Sequence, residues 1–324
     1  MVFFGAALAV AVAGTFAVAH AAGYQSMLGS LHRMHAVWLA ACFGSQVVAY
    51  AGYVLAVWSI ARLDDGPRLP FALTARTVVA GFGVYAATHS SGGFAVDYWA
   101  LRRSGLPRGE AIRRVLGLGA LEYAVLAPAA LISALFLLAG GGDHVRDAMT
   151  LPWLLVIPGF VVAAWVTSPR RVARLCDPKG GGRVREGIAH AVAGVATLRA
   201  MAARPVRHGA GAVGVALYWL GDIACLWAAL SLFGAELSIP ALILAYATGY
   251  VLTRRSLPLG GAGIVEVLMT FALVWVGLPI TAAALGVVVY RIFNFWLPIL
   301  PALAVLPTVK QLRRDFAAAE RMLD

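Results

Sequence analysis

Two ionisable residues of opposite charge lie in apolar runs near the end of this 324-residue chain. Glu266 and Arg291 fall in stretches that are otherwise apolar enough to cross a bilayer. A charge at mid-membrane costs about 2.5–3.5 kcal/mol on insertion scales, so such residues usually face a cavity or a partner. A guanidinium matches phosphate oxygens bidentately. Arg291 is therefore either a phosphate ligand or half of a structural ion pair with Glu266.

A break rich in Pro and Gly precedes Glu266 and comprises Pro258, Gly260, Gly261 and Gly263. Irregular backbone at membrane depth is tolerated only where protein or water satisfies its polar groups. We therefore expect a broken helix whose interruption opens onto a polar site.

Three further acids interrupt apolar runs. Asp97 follows the pair Gly92-Gly93 and precedes two aromatic residues, so it lies either at the membrane edge or opposite Glu266. Glu122 and Asp222 are single acids in their spans and either line a cavity or form internal hydrogen bonds. The predicted substrate-binding residues are Asp97, Glu122, Asp222, Glu266, Tyr290 and Arg291.

Sequence motifs of common enzymes were not found. The sequence holds no G-x-x-x-x-G-K-[ST], no H-E-x-x-H and no G-x-S-x-G. The three cysteines are scattered, and the histidines have no metal-ligand spacing. We therefore predict no metal, no cofactor and no enzymatic activity. An intramembrane lipid-modifying transferase with Glu266 as its base is the enzyme alternative, and a secondary transporter of a small solute is a third hypothesis.

The composition is that of a membrane protein. Mean hydropathy is +0.82, and 13% of residues are charged, about half the fraction of a soluble domain. Apolar runs lie at about 2–22, 35–61, 70–89, 115–139, 151–168, 210–233, 238–253, 264–278 and 280–307. We predict an all-α polytopic membrane protein with about nine transmembrane helices and two broken or re-entrant pieces, at 90–101 and 256–263. The run 2–22 lacks a preceding basic region, so it is predicted to be a retained span and not a signal peptide.

Arg and Lys are concentrated in the segments 102–114 and 168–208 and in the tail 308–324, whereas 140–150 holds two Asp and one Arg. The positive-inside rule puts the basic segments, including the C-terminus, in the cytoplasm and 140–150 outside. The net charge of +11 lies between apolar runs, so we interpret it as topology signals and lipid anchors, with no nucleic-acid partner. The segment 168–208 is either a helix on the inner leaflet or a solvated linker.

The two breaks are followed by similar sequences. Asp97 after the first Gly-Gly pair and Glu266 after the second are 169 residues apart, and the two Gly-Leu-Pro turns, at 105–107 and 277–279, are 172 apart. The predicted orientations of the corresponding spans are opposite. Within a single integral membrane domain, 1–324, the pattern predicts an inverted-topology repeat of about 70–139 and 238–307, with the broken helices meeting at a central site.

The segments LPLGGAGIVEVL, VGLPITAAA and VYRIFNFWLP resemble the flippase-like membrane domain of lysylphosphatidylglycerol synthases of the multiple peptide resistance type. The earlier stretch SGGF to RRVLG is similar to the first block of that family, although Glu122-Tyr123 stands where many members have Glu-Arg. The chain ends at Asp324 without a synthase domain, so we expect a stand-alone member. The resemblance implies a bacterial inner-membrane flippase or scramblase for a phospholipid, an aminoacyl phospholipid or a polyprenyl-linked lipid. Expected partners are lipids with anionic headgroups, with a homodimer or a separate lipid-modifying enzyme as further possibilities.

Overall fold

The computed structural model describes residues 36–87, 92–141, 145–175, 183–251 and 263–305. Every regular element in these ranges is a helix. Five helices are long and apolar enough to cross a membrane, and three shorter apolar helices accompany them. The predicted all-α membrane class is therefore confirmed. The predicted span 2–22 and three residues of the second break, Pro258, Gly260 and Gly261, lie outside the described ranges.

The helices are α1 (Val37–Ala61), α2 (Phe71–Ala87), α3 (Gly92–Arg103), α4 (Arg108–Leu138), α5 (Asp147–Val166), α6 (Pro169–Leu175), α7 (Arg183–Ala203), α8 (Pro205–Ser231), α9 (Ile239–Val251), α10 (Ile264–Trp275) and α11 (Ile280–Val305). A 3-10 turn lies within α5, and a π turn, Ile292–Trp296, lies within α11. Five predicted spans correspond to α1, α4, α5, α8 and α11. The predicted spans 70–89, 238–253 and 264–278 are shorter helices, so nine full-length spans are not found in the described part of the chain.

The short helices form two packed pairs, α2 with α3 and α9 with α10. The 13 residues of α9 rise about 20 Å and the 12 residues of α10 about 18 Å. The hydrocarbon core of a bilayer is about 30 Å thick. Neither helix, as described, is long enough to cross it. The first predicted broken piece, 90–101, overlaps α3, and the second, 256–263, lies between α9 and α10 in the sequence.

Both helix pairs end in the same turn. Gly105 and Gly277 adopt φ of 90° and 109°, a conformation that glycine enters without steric cost. The Leu106 N–H donates to Leu101 O at 3.3 Å, and Leu278 N–H donates to Leu273 O at 3.1 Å. These are Schellman motifs, which satisfy the last carbonyls of α3 and α10. A proline, Pro107 or Pro279, is then the N-cap residue of the following long helix, α4 or α11.

Helices α1 and α8 cross at backbone contact. A Cβ added to Gly52 would lie 2.6 Å from Gly214 O and from Tyr218 N, and a Cβ added to Gly221 would lie 2.5 Å from Ser45 O. Ser45 on α1 faces Gly221 on α8, and Gly52, further along α1, faces Gly214, which is earlier on α8. The two helices are therefore antiparallel. Positions 45, 49 and 52 become 214, 218 and 221 when 169 is added. The same interval separates Asp97 from Glu266.

The first turns of α4 are anchored to the end of α1 by a buried guanidinium. Arg114 donates to the carbonyls of Ile60, Ala61 and Leu63, and its Nε lies 2.7 Å from Glu110 Oε1. The last carbonyls of a helix carry partial negative charge, so a cation is well placed there. The end of α1 and the start of α4 therefore lie at the same end of the bundle.

Part of the basic segment 168–208 is helical. Residues 183–203 form α7, which packs along α4, with Gly194 close to Gly117. Residues 185–188 of α7 are exposed. This arrangement agrees better with a helix lying against the membrane domain than with a solvated linker.

Candidate functional site

Asp222, on α8, is fully buried and accepts four hydrogen bonds. Its Oδ1 accepts from the side-chain amides of Gln46 (2.9 Å) and Asn294, and its Oδ2 accepts from the hydroxyls of Tyr246 and Tyr290 (2.9 Å). These donors come from α1, α9 and α11. Four donors on two oxygens match the acceptor capacity of an ionised carboxylate. Asp222 therefore connects four helices through a single side chain.

Glu266 and Arg291 form an ion pair. The Nε of Arg291, on α11, lies 2.8 Å from Glu266 Oε1, on α10. The Arg291 side chain is 2% exposed and the Glu266 side chain 10%. The other Glu266 oxygen accepts from the N–H of Gly263 at 2.6 Å, and Gly263, with a φ of 85°, is the N-cap residue of α10. The carboxylate is thus held by a guanidinium and by the positive end of its own helix.

Asn294 joins this ion pair to Asp222. Its Oδ1 accepts from Arg291 Nη1 at 3.3 Å, while its amide donates to Asp222. The guanidinium carbon also lies 4.5 Å from the ring centroid of Phe295. Asn294 and Phe295 belong to the π turn of α11, and such turns occur frequently at functional sites.

We call this connected set the central network. Its members are Gln46, Asp222, Tyr246, Glu266, Tyr290, Arg291 and Asn294. Four of the six predicted site residues are among them, and they form two direct pairs, Glu266 with Arg291 and Asp222 with Tyr290. That these residues bind substrate stays a prediction.

The other two predicted residues, Asp97 and Glu122, are buried and lie beside a chain of aromatic rings that leads to the central network. Asp97 accepts a hydrogen bond from the Tyr53 hydroxyl at 3.4 Å, and the backbone carbonyl of Glu122 accepts from Trp219 Nε1 at 2.9 Å. Successive ring centroids from Tyr53 through Tyr218, Trp219 and Tyr246 to Tyr290 are 4.9–6.4 Å apart. Of the predicted break residues in the described ranges, Gly263 is the N-cap residue of α10, whereas Gly92 and Gly93 form the first residues of α3.

Sequence reasoning missed Gln46, Tyr246 and Asn294. It searched for charges inside apolar runs, and these three side chains are neutral. A signal was present nonetheless, because an amide in a long apolar run also requires a buried hydrogen-bonding partner.

The residues of the central network are suited to bind an anion. In the described ranges no group of three or more His, Cys, Asp or Glu is placed to hold a metal ion. Arg291 already holds one oxyanion, the Glu266 carboxylate. A phosphate diester presents a similar pair of oxygens to a guanidinium, so it can take the place of that carboxylate.

A comparison with known protein families shows to which family this chain belongs. The sequence profile described as "Lysylphosphatidylglycerol synthase TM region" matches residues 2–302. The chain belongs to this family. The match includes all seven residues of the central network, and it confirms the resemblance inferred from the sequence. Membership in the lysylphosphatidylglycerol synthase TM region family associates the chain with membrane lipids. A search of curated proteins gave no match.

Proposed function

We propose that this protein is a flippase or scramblase that moves a lipid with a phosphate-bearing headgroup across the bacterial cytoplasmic membrane. Its substrate is a phospholipid, an aminoacyl phospholipid or a polyprenyl-linked lipid. The observation that carries the proposal is the Glu266–Arg291 ion pair, which is buried between two apolar helices. Family membership is consistent with a lipid substrate.

A headgroup that crosses the hydrocarbon layer needs polar partners that replace its lost water. The central network offers a guanidinium together with amide and hydroxyl groups. Arg291 is paired with Glu266 in this structure, so a phosphate binds by exchange with the carboxylate. The exchange conserves the strong hydrogen bonds of the guanidinium and avoids leaving a bare buried cation.

An inverted-topology repeat supports a transport role, because such repeats place interrupted helices around a central substrate site. Two observations favour the repeat. The first is the matching pair of Schellman turns at Gly105 and Gly277. The second is the crossing of α1 and α8, where the contacting positions on α8 are those on α1 plus 169. We therefore propose halves longer than the sequence indicated, about 37–139 and 205–305, with α5 to α7 between them.

The charge distribution gives the proposed orientation. Residues 102–114 and the C-terminus are assigned to the cytoplasm by their Arg and Lys residues. The pair α2–α3 then enters from the cytoplasmic side and α9–α10 from the outer side. Each pair reaches part of the way through the bilayer, as re-entrant helices do.

A reconstituted flip assay tests the function. Full-length protein in vesicles is supplied with fluorescent derivatives of phosphatidylglycerol, lysyl-phosphatidylglycerol, phosphatidylethanolamine and a polyprenyl phosphate sugar, and inward and outward movement is followed by reduction of the exposed label. We expect faster movement of at least one lipid, and loss of that movement in Arg291→Gln and Arg291→Lys. Arg174→Gln, a change at an exposed arginine, is the matched control. Rates equal to those of protein-free vesicles for the whole panel would contradict the proposal.

A further inference from the structure

The charges of the central network do not balance. Its described members carry two carboxylates, Asp222 and Glu266, and one guanidinium, Arg291. A phosphate diester bound to Arg291 brings another negative charge into the same enclosed volume. Buried charges are costly unless each is paired, so the bound state must differ from the free state in protonation as well as in contacts.

Glu266 is the group whose surroundings change when a headgroup binds. In this structure it accepts hydrogen bonds from the guanidinium of Arg291 and from the N–H of Gly263. A phosphate that takes the guanidinium leaves Glu266 with the N–H. Asp222 keeps its four donors, because none of them comes from Arg291.

Other groups in the surrounding helices are poorly suited to take up the proton. Besides Glu266, titratable or charged residues of the network and beside it include Arg291 and Tyr290 on α11, Asp222 and Cys225 on α8, Tyr246 on α9 and Cys42 on α1. The buried acids Asp97 and Glu122 lie beside the aromatic chain that leads to the network. Arginine, tyrosine and cysteine already carry their protons at neutral pH. Of the two carboxylates, Glu266 retains 10% exposure of its side chain, whereas Asp222 is fully enclosed.

We infer that binding of a phosphate-bearing headgroup at Arg291 is coupled to the uptake of one proton by Glu266. A phosphate oxygen accepts the Arg291 Nε–H that was donated to Glu266, and a Glu266 oxygen takes up one proton from the bulk solution and becomes a neutral carboxylic acid. One negative charge and one positive charge enter together, so the headgroup crosses as an electroneutral pair with its proton. When the headgroup leaves, Glu266 returns its proton and pairs with Arg291 again. This inference rests on the proposed function, and it supplies a coupling ion.

The sign of the pH dependence follows from the two states. The inferred uptake of one proton by Glu266 means that binding consumes a proton, so binding becomes tighter as the pH falls. One coupled proton changes the dissociation constant by up to about tenfold per pH unit. Glu266→Gln is neutral in both states, so its affinity should not depend on pH in this range.

The experiment measures binding of dioleoyl phosphatidylglycerol to the full-length protein in detergent, from ligand-dependent stabilisation between about pH 5 and about pH 8. The phosphate diester of this lipid stays ionised throughout. We expect the wild-type dissociation constant to fall at least about tenfold toward the acid end. Glu266→Gln should be flat to within about twofold. Glu186→Gln, at an exposed acid on α7, should keep the wild-type slope. Water-soluble glycerophosphoglycerol distinguishes a free phosphate ester from a lipid.

The outcomes separate this inference from the proposed function. Lipid binding with no pH dependence in the wild type would overturn the coupling and leave the lipid site in place. A slope abolished by Asp222→Asn and retained by Glu266→Gln would also overturn it, since the proton would then belong to the other acid. Binding of the soluble headgroup as tight as that of the lipid would overturn the lipid as the ligand. If no lipid stabilises the protein at any pH, the proposed function itself fails.

A second measurement does not depend on a variant that folds. In weak buffer with a pH indicator, addition of phosphatidylglycerol to the wild-type protein should remove protons from solution, approaching one proton per bound lipid. Release of protons, or no change, would overturn the inference.

Discussion

Removal of the Asp222 carboxylate is the most direct test of the central network. Asp222→Ala leaves four buried donors without their acceptor. The two hydroxyls, of Tyr246 and Tyr290, can rotate to other acceptors, but the amides of Gln46 and Asn294 cannot change from donor to acceptor at the same atom.

The structure gives the magnitude. Each unsatisfied buried donor costs about 1–3 kcal/mol, so the two amides alone cost about 2–6 kcal/mol. Hydrogen bonds between membrane helices average about 0.6 kcal/mol, so four of them give a lower bound of about 2.4 kcal/mol. We therefore expect Asp222→Ala to lose about 2.5–6 kcal/mol, a large fraction of the 5–15 kcal/mol that is typical of folded proteins. Asp222→Asn keeps one acceptor oxygen and should lose about 1–2 kcal/mol.

The assay is reversible unfolding of purified protein in mixed micelles with increasing SDS, in which the shift of the midpoint at constant slope gives the change in the free energy of unfolding. Tyr246→Phe removes one donor and keeps the ring, and it should cost about 0.6 kcal/mol. Glu186→Gln, an exposed change, should be close to neutral. An Asp222→Ala protein within about 1 kcal/mol of the wild type would refute the convergence of donors on this carboxylate.

Three further predictions concern the ion pair, the helix crossing and the topology. Glu266→Gln and Arg291→Gln should each destabilise the protein by about 3–5 kcal/mol in the same SDS assay. The loss in the double variant should be smaller than the sum of the two single losses by about 0.5–3 kcal/mol. Strictly additive losses would exclude a direct pair. Gly52→Ala places a methyl group against the α8 backbone and should lower the free energy of unfolding by about 1–3 kcal/mol. Gly44→Ala, on the same helix with nothing within 4 Å, should change it by no more than about 0.5 kcal/mol. Equal effects of the two variants would contradict the close crossing. In a background without native cysteines, single cysteines at positions 168 and 314 should react with an impermeant thiol reagent only from the cytoplasm and one at position 143 only from outside; labelling of position 168 from outside would reverse the proposed orientation.

Much of the fold class could be predicted from the sequence because bilayer physics constrains it strongly. Apolar runs of span length must be helical, since no water is present to satisfy the backbone. Helix length was harder to predict. The apolar runs 238–253 and 264–278 satisfy a hydropathy criterion, but the chain forms helices of 13 and 12 residues there. Hydropathy does not separate a helix that crosses the membrane from one that stops within it, because both are apolar.

The candidate site was partly predictable for a similar reason. A charged residue in an apolar run is conspicuous in the sequence and requires a partner. The pairing of Glu266 with Arg291, which lie 2.8 Å apart, was therefore predictable. The convergence on Asp222 was not predictable, because its donors come from residues 46, 246, 290 and 294 and depend on the packing of four helices. The sequence also gave no indication of the π turn that brings Asn294 between Arg291 and Asp222.

The proposed repeat leads to a further conclusion about the two halves. The interval of 172 residues between the Gly-Leu-Pro turns aligns Gly119 with Arg291 and Glu122 with Asn294. The first half therefore has a glycine where the second has the guanidinium, and an acid where the second has the bridging amide. A phosphate ligand of the kind provided by Arg291 has no counterpart at the aligned position, so the two proposed halves differ in charge there. We therefore propose that a phosphate-bearing headgroup binds through Arg291 in the second half and meets no equivalent guanidinium at position 119 in the first. This asymmetry favours release, because two equally strong phosphate sites would retain the lipid.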